Sequence, residues 1–207
     1  MAKTFSEFDD AARRLRWYRL DPQAPLPDEA RVRALARARG FELPDDYVDF
    51  CCRFGAGAFD ETAMLDLPAG CALGRAMWLD VLWTVEAGPS QWDALRQFTD
   101  TYANRLPRQL LPVGTDPGGN LLLLGAAERA GVYAWDHEHR ELRPGELQQR
   151  IAALAGRGIA TGALDVDQLL RTWEEQFPQQ VGNATGHGNL YRVADSFAAA
   201  ISALHRA

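Results

Sequence analysis

Residues 110–124 read LLPVGTDPGGNLLLL, and this stretch decides how the rest of the chain is interpreted. Two apolar runs, 110–113 and 120–124, flank the sequence Asp116-Pro117-Gly118-Gly119. Proline presets a turn-compatible φ and glycine adopts positive φ without a steric penalty, so the pattern predicts a β-hairpin. A third run, 131–136, follows a short connection and predicts another strand. Together the three strands predict an antiparallel meander.

Two helices are predicted before this meander. The first lies between Asp28, where the helix dipole favours an anion, and Gly40, which suits a C-terminal cap. The second lies between Pro44 and Gly55. Its aromatic and thiol side chains recur at the i, i+3, i+4 and i+7 spacing of one buried helix face. These are Tyr47, Phe50, Cys51 and Phe54.

Shorter patterns complete the predicted order of elements. They are strands at 63–67 and 77–85, a helix from Ser90, helices over 147–154 and 165–177, an extended segment at 190–193 and a closing helix from Ser196. Helices are grouped around a run of strands, without regular alternation of strand and helix. This order predicts an α+β fold, an antiparallel sheet flanked by helices with an extra helical segment near the C-terminus.

The composition is typical of a globular protein, with 47% of the 207 residues hydrophobic and 24% charged. We expect a single domain over 1–207. No apolar stretch approaches the roughly 20 residues of a membrane helix. Glu7, Asp9 and Asp10 stand where a secretory signal has its apolar stretch, so we expect a cytoplasmic protein. The three cysteines form no CxxC pattern and are expected to be reduced and packed.

The sequence contains no strong catalytic motif. Lys3 is the only lysine, so a Schiff-base or phosphate-loop lysine would have to stand near the N-terminus. None of the four serines is flanked as Gly-x-Ser-x-Gly. The run Asp136-His137-Glu138-His139, with Asp116 near it, could ligate a metal in a small hydrolase. We favour structural hydrogen bonding at a strand end, and predict no catalytic residue, cofactor or metal.

Negative charge is concentrated in the middle of the chain. The formal net charge is 22 − 28 = −6, and residues 41–138 alone hold six basic and fifteen acidic residues, or 6 − 15 = −9. Such a segment repels nucleic acid and anionic lipid, whose binding depends on clustered Lys and Arg. It favours an electropositive protein partner. A solubilising surface without a specific partner would have the same composition.

Aromatic side chains divide into a core set and a set that could bind a partner. Tyr47, Phe50, Phe54, Trp135 and Phe197 are predicted to be core. Large aromatics at exposed positions often anchor protein partners. The sequence leaves this role open for three tryptophans, Trp78, Trp83 and Trp92.

Several of these motifs, taken in order, resemble the SUKH superfamily, which includes yeast cell-wall-assembly regulators and bacterial immunity proteins. The resemblance covers about 27–138 plus 193–204. Residues 139–192 look like a helical insertion, 1–26 look like an N-terminal extension, and Gly55-Ala56-Gly57 replaces a frequent asparagine-glycine pair. The motifs are Leu43-Pro44-x-x-Tyr47-x-x-Phe50, Leu111-Pro112-Val113-Gly114, Asp116 to Asn120, Val132-Tyr133-x-Trp135-Asp136-His137-Glu138 and Ser196-Phe197.

The resemblance implies a non-catalytic protein that binds and neutralises a cognate bacterial toxin, such as a nuclease with a basic cleft. A regulatory or scaffold role without a toxin is the alternative, and the oligomeric state is left open. If the partner is electropositive, acidic residues in loops and at helix starts should face it. The candidates are Asp45, Asp46, Asp60, Glu61, Asp66 and Asp116.

Overall fold

An antiparallel sheet of eight strands forms the centre of the computed structural model. The strand order is β1-β2-β3-β4-β5-β6-β7, and β8 pairs with β2 beside β1. From β1 to β7 each strand therefore pairs with the next strand in the sequence, and only β8 pairs with a strand distant in sequence. The predicted α+β fold with an antiparallel meander is confirmed. The structure describes residues 6–71, 73–86, 91–102, 106, 110–125, 129–137, 146–164, 166–176 and 190–207.

The elements follow one another in a mixed order. The strands are β1 Trp17–Arg19, β2 Gly57–Asp66, β3 Ala76–Leu82, β4 Leu110–Thr115, β5 Leu121–Gly125, β6 Gly131–Trp135, β7 Leu190–Ala194 and β8 His205–Arg206. The helices are α1 Ser6–Arg14, α2 Glu29–Arg37, α3 Asp45–Arg53, α4 Ala94–Arg96 with a π-helical continuation Gln97–Thr101, α5 Glu146–Ala155, α6 Val166–Gln176 and α7 Phe197–Ser202.

Helix α3 begins and ends at the residues that the sequence predicts. Pro44 is its N-cap, and Asp45 and Asp46 lie in its first turn, where the helix dipole favours carboxylates. Gly55 follows the helix with φ of +70°, a conformation that favours glycine. The helix buries Tyr47 and Phe50 completely.

Aromatic rings from three distant parts of the chain meet on α3. Phe8 of α1 lies 4.8 Å from Phe50 between ring centroids, and Phe197 of α7 lies 5.1 Å from Phe50 and 5.0 Å from Tyr47. The Tyr47 hydroxyl donates to the Trp83 carbonyl (2.9 Å), which ties α3 to the end of β3. Of the predicted core aromatics, Phe54 is half-buried and the other four are buried.

The central strands are covered on both faces. Every residue of β5 and β6 is buried, as are Leu110 to Gly114 of β4. Continuous apolar runs rather than alternating ones are what strands buried on both faces require. Helices α5 and α6, in the segment expected to be an insertion, form a separate small core with Leu154, Leu169 and Trp173.

Strand β2 is longer than the sequence predicts. The sequence predicts a strand only over 63–67, but β2 already begins at Gly57 and pairs there with Arg19 of β1. A Cβ on Gly57 would lie 2.3 Å from the Trp17 ring. Glycine at this position therefore permits the close approach of Trp17, which is a packing requirement and not a turn.

Two other boundaries differ from the sequence-based prediction. The helix expected from Ser90 begins instead after Asp93, whose carboxylate accepts from the Leu95 N–H (3.1 Å), and Ser90 itself lies outside the described residues. The segment expected to be an N-terminal extension supplies α1 and β1, and Phe8, Ala11 and Leu15 belong to the main core.

Replacing Phe8 by alanine should lower the free energy of unfolding by about 3–5 kcal/mol, because Phe8 is fully buried. Urea unfolding followed by far-UV circular dichroism measures this. Tyr18→Ala, which removes a ring that is 49% exposed, is the matched control and should change stability much less. Equal stability losses for the two variants would show that α1 does not contribute to the core.

Candidate functional site

The six acidic residues predicted to face a partner lie on three different elements. Asp45 and Asp46 are in the first turn of α3, Asp60, Glu61 and Asp66 are on β2, and Asp116 is in the turn between β4 and β5. Their contacts separate residues that hold the fold together from residues whose charge is displayed to solvent.

The two carboxylates of α3 have different roles. Asp45 is 95% exposed and pairs with Arg33, which also pairs with Glu29. Asp46 accepts from the Ala198 main-chain N–H (2.8 Å) and so connects α3 to the first turn of α7. Asp45 therefore displays its charge, whereas Asp46 uses its carboxylate to join two helices.

The three carboxylates of β2 pair with cations from neighbouring segments. Asp60 pairs with Arg16 (2.7 Å), Glu61 pairs with Arg206, and Asp66 lies 3.1 Å from His205 Nε2. The residues Asp60 and Asp66 are 52% and 80% exposed. Exposed ion pairs contribute at most about 1 kcal/mol, so a cation on a partner can replace Arg16 or His205 at low cost.

Asp116 takes part in a hydrogen-bonded clamp across the hairpin. The Asn120 main-chain N–H donates to Asp116 Oδ1 (2.8 Å) and its side-chain amide donates to Oδ2 (2.7 Å). Asn120 Oδ1 in turn accepts from the His137 main-chain N–H (3.2 Å) and lies 3.0 Å from His137 Nδ1. The clamp joins the β4–β5 turn to the end of β6.

This clamp gives a structural role to part of the run Asp136-His137-Glu138-His139, a candidate metal-ligating motif in the sequence. Asp136 is buried, and His137 is half-buried against Asn120. Glu138 and His139, the other members of the run, lie outside the described residues. Within the described part of the chain, no group of three or more His, Cys, Asp or Glu side chains is arranged to hold a metal ion.

The cysteines are free thiols, as the sequence predicts. Cys51 and Cys71 are buried and Cys52 is half-buried. Burial raises the pKa of the Cys51 thiol to about 12, so this group stays protonated at neutral pH. Among the described helices, none is long and apolar enough to cross a membrane.

The three uncertain tryptophans have three different environments. Trp83 is buried, Trp92 is half-buried, and Trp78 on β3 is 46% exposed. Hydrophobicity alone does not separate them, because each stands in or beside an apolar run. Trp78 lies on the outer face of β3 between the buried Met77 and Leu79, whereas Trp83 follows the strand and donates its main-chain N–H to the Val113 carbonyl (2.8 Å).

A cleft that the sequence does not indicate lies between the β1–α2 connection and the segment after β3. Its volume is about 820 Å³, and Arg19, Leu26, Thr84, Glu86 and Trp92 are among its lining residues. The Arg19 guanidinium donates to the main-chain carbonyls of residues 22 and 24. Close to the cleft, Asp93 caps α4, and burial raises the pKa of its carboxyl to about 6.

The fold and these contacts define an α+β protein with an exposed, ion-paired acidic strand. The chain belongs to the SMI1/KNR4 family (SUKH-1), whose sequence model matches residues 26–151, more than half of its length. This confirms the resemblance drawn from the motifs. Proteins of this family are immunity-like and generally non-catalytic.

One relative is the SPbeta prophage-derived uncharacterized protein YokK of Bacillus subtilis (strain 168). It is 25% identical over 109 residues, which are 48% of this chain and 56% of that protein. The chain thus spans little more than half the length of this relative. No solved structure matches the chain significantly.

Asn120→Ala should lower the free energy of unfolding by about 1–3 kcal/mol, because it removes the side-chain partner of both Asp116 and His137. Urea unfolding measures the loss. The exposed amide of Gln148 on α5 provides a control, and Gln148→Ala should leave stability nearly unchanged. An unchanged free energy of unfolding in Asn120→Ala would show that the clamp does not stabilise the fold.

Asp93→Asn should remove the contribution of the Asp93 carboxyl to the pH dependence of the free energy of unfolding. An unfolded aspartate titrates near pH 3.9, and burial raises the pKa of folded Asp93 to about 6. As pH rises, the aspartate therefore loses its proton in the unfolded state at a lower pH than in the folded state. Between these two pKa values the free energy of unfolding of the wild type falls. Asparagine keeps a cap acceptor for the Leu95 N–H.

Urea unfolding of both proteins at several pH values between about 4 and 7 tests this prediction. The variant should gain stability relative to wild type as pH rises to about 6, and the difference should then level off. Parallel stability profiles across this range would mean that Asp93 titrates normally in the folded state.

Proposed function

We propose that this protein is a non-catalytic immunity protein that binds a cognate bacterial toxin stoichiometrically and neutralises it in the cytoplasm. Membership of the SMI1/KNR4 (SUKH-1) family supports the immunity role. A relative in Bacillus subtilis is prophage-derived, which is compatible with this role. The toxin class that fits best is one with an electropositive surface, such as a nuclease with a basic cleft.

The observation that carries this proposal is the set of paired carboxylates on β2. Asp60, Glu61 and Asp66 stand on one strand, and each is paired with an Arg or His side chain from another segment. A toxin that supplies its own cations can take over these carboxylates. Because the exchange replaces one ion pair by another, it adds specificity and a faster encounter more than raw affinity.

Rigidity of the strand favours binding by a preformed surface. Strand β2 pairs with β1 and β8 on one side and with β3 on the other, where the register shifts between Ala58 and Ala63. Within that shift the Asp60 N–H donates to the Arg16 carbonyl (3.1 Å). A surface that is already ordered loses little conformational entropy when a partner docks. Blocking a toxin by occupying its active site then needs no movement of the immunity protein.

The proposal is tested by co-expression with a candidate toxin chosen from the genes that neighbour this one. The expected result is rescue of growth together with co-purification of a one-to-one complex. Expression of the toxin with an empty vector provides the reference. Growth arrest that persists in the presence of the intact protein, with no complex recovered, would contradict the proposed function.

Reversing two carboxylates of β2 should slow association with the toxin. We expect Asp60→Arg combined with Asp66→Arg to lower the association rate constant by about tenfold at low salt, since both charges steer the encounter. Surface plasmon resonance at two salt concentrations measures this rate constant. The melting temperature should fall by a few degrees at most, because each lost ion pair is exposed.

The matched control reverses two carboxylates elsewhere. Asp10 pairs with Arg13 and Asp195 pairs with Arg192, and both carboxylates are more than 70% exposed. Asp10→Arg combined with Asp195→Arg therefore changes the net charge by the same amount and breaks the same kind of pair. Equal slowing by the two double variants would show that net charge, and not the β2 surface, determines association.

A further inference from the structure

The outer face of β8, β2 and β3 carries an exposed tryptophan in a fixed row of side chains. Trp78 is directly opposite Met64 in the register of β3 with β2, and Met64 is directly opposite His205 in the register of β2 with β8. Residues directly opposite in an antiparallel pair point to the same face. Trp78, Met64 and His205 therefore form a continuous strip across three strands.

Two carboxylates flank this strip on the same face. Asp80 follows Trp78 by two residues along β3, so its side chain points to the same side at a spacing of about 7 Å. Asp66 is opposite Ala76, the residue two positions before Trp78. Both carboxylates are exposed. We define the Trp78 face as Met64, Asp66, Trp78, Asp80 and His205.

The negative charge of the Trp78 face is only weakly balanced. Asp66 is paired with His205, an imidazole that carries a full charge only when protonated. Asp80 has no ion pair or side-chain hydrogen bond to any of the described residues. The face thus presents an aromatic ring between two carboxylates, one of which lacks a counter-ion within the described structure.

Packing of the fold does not explain why Trp78 is a tryptophan. The residues on either side of it, Met77 and Leu79, are buried and supply the contribution of this part of β3 to the core. The described register joins β3 to β4 only at Val81 and Leu82, so the part of β3 with Trp78 is supported by β2 alone. The ring is therefore displayed on a rigid but open corner of the sheet.

Comparison with the other exposed large hydrophobic residues identifies what is special about this ring. Tyr18 and Leu26 are exposed to a similar degree. Tyr18 stands on β1 opposite Ala58, and Leu26 stands in the connection before α2. Trp78 combines exposure with two carboxylates on the same face of the sheet, Asp80 on its own strand and Asp66 on the neighbouring strand. A cation is attracted both by the carboxylates and by the face of the indole ring.

We propose that the Trp78 face binds an arginine- or lysine-bearing segment of the toxin, with the cationic side chain over the Trp78 ring and between Asp66 and Asp80. This inference rests on the proposed function, since it names the part of the partner that this protein recognises. Charge complementarity selects a cationic segment, and the flat indole ring favours the planar guanidinium of arginine. Burial of the tryptophan by that segment makes Trp78 the central anchor of the interface.

The first experiment uses a defined probe, a hexa-arginine peptide, and the intact protein. Nuclear magnetic resonance titration at low salt should shift the Trp78 indole signal, together with the amides of Met64 and His205. Trp78→Ala should weaken peptide binding by about 2–5-fold although it changes no charge. Tyr18→Ala, the matched loss of an exposed ring, should bind like wild type, and a hexa-glutamate peptide should not bind.

Asp80→Asn provides a second variant that keeps the ring. It should also weaken hexa-arginine binding, and the effect should diminish as salt is raised. Peptide binding that is equal in wild type, Trp78→Ala and Asp80→Asn would overturn the inference. So would signal shifts spread evenly over the protein with none centred on the Trp78 face.

The second experiment separates this inference from the proposed function by using the same candidate toxin. The expected result is that wild type binds and neutralises it, and that Trp78→Ala weakens binding by about tenfold or more. Full binding by Trp78→Ala would overturn the inference and leave the immunity role intact. A toxin that wild type neither binds nor neutralises would overturn the proposed function, while the peptide titration would still decide whether the Trp78 face selects cations.

Discussion

The structure depends on the meeting of three aromatic rings at helix α3. Phe8 from the start of the chain and Phe197 from its end both contact Phe50, and the Tyr47 hydroxyl adds a buried hydrogen bond to the end of β3. Because these contacts join segments that are far apart in sequence, they bring the first and last helices onto the same face as the middle one. The strands that display charge are positioned by this arrangement.

The local patterns of the sequence were sufficient to predict the meander and the limits of helices α2 and α3 before it. The turn after Thr115 and the apolar spacing on α3 depend on neighbouring residues only, which is why they could be predicted. Strand β1 and the true start of β2 could not, because Gly57 is explained by a ring from Trp17 forty residues earlier. Pairing of β8 with β2 has the same nonlocal character.

For the acidic residues, the sequence predicts the charge of the segment but not the contacts that each carboxylate makes. Composition predicts that the middle of the chain is negative, but it does not distinguish Asp46, which joins two helices, from Asp45, which faces solvent. Asp116 likewise serves its own hairpin. The sequence left a partner-binding role open for Trp78, but only the register of β2 with β3 places Asp66 on the same face as Trp78 and Asp80.

The ion pairs of β2 have a chemical property that bears on regulation. Their cations are Arg16, Arg206 and His205, and none is a lysine. Acetylation, which neutralises lysine and switches many charged surfaces in cells, therefore has no target in these pairs. A change in acidity acts instead on the Asp66–His205 pair alone, through the imidazole. The charge displayed at that end of the strand therefore follows the proton concentration, whereas all three pairs are insensitive to acetyl-transferring enzymes.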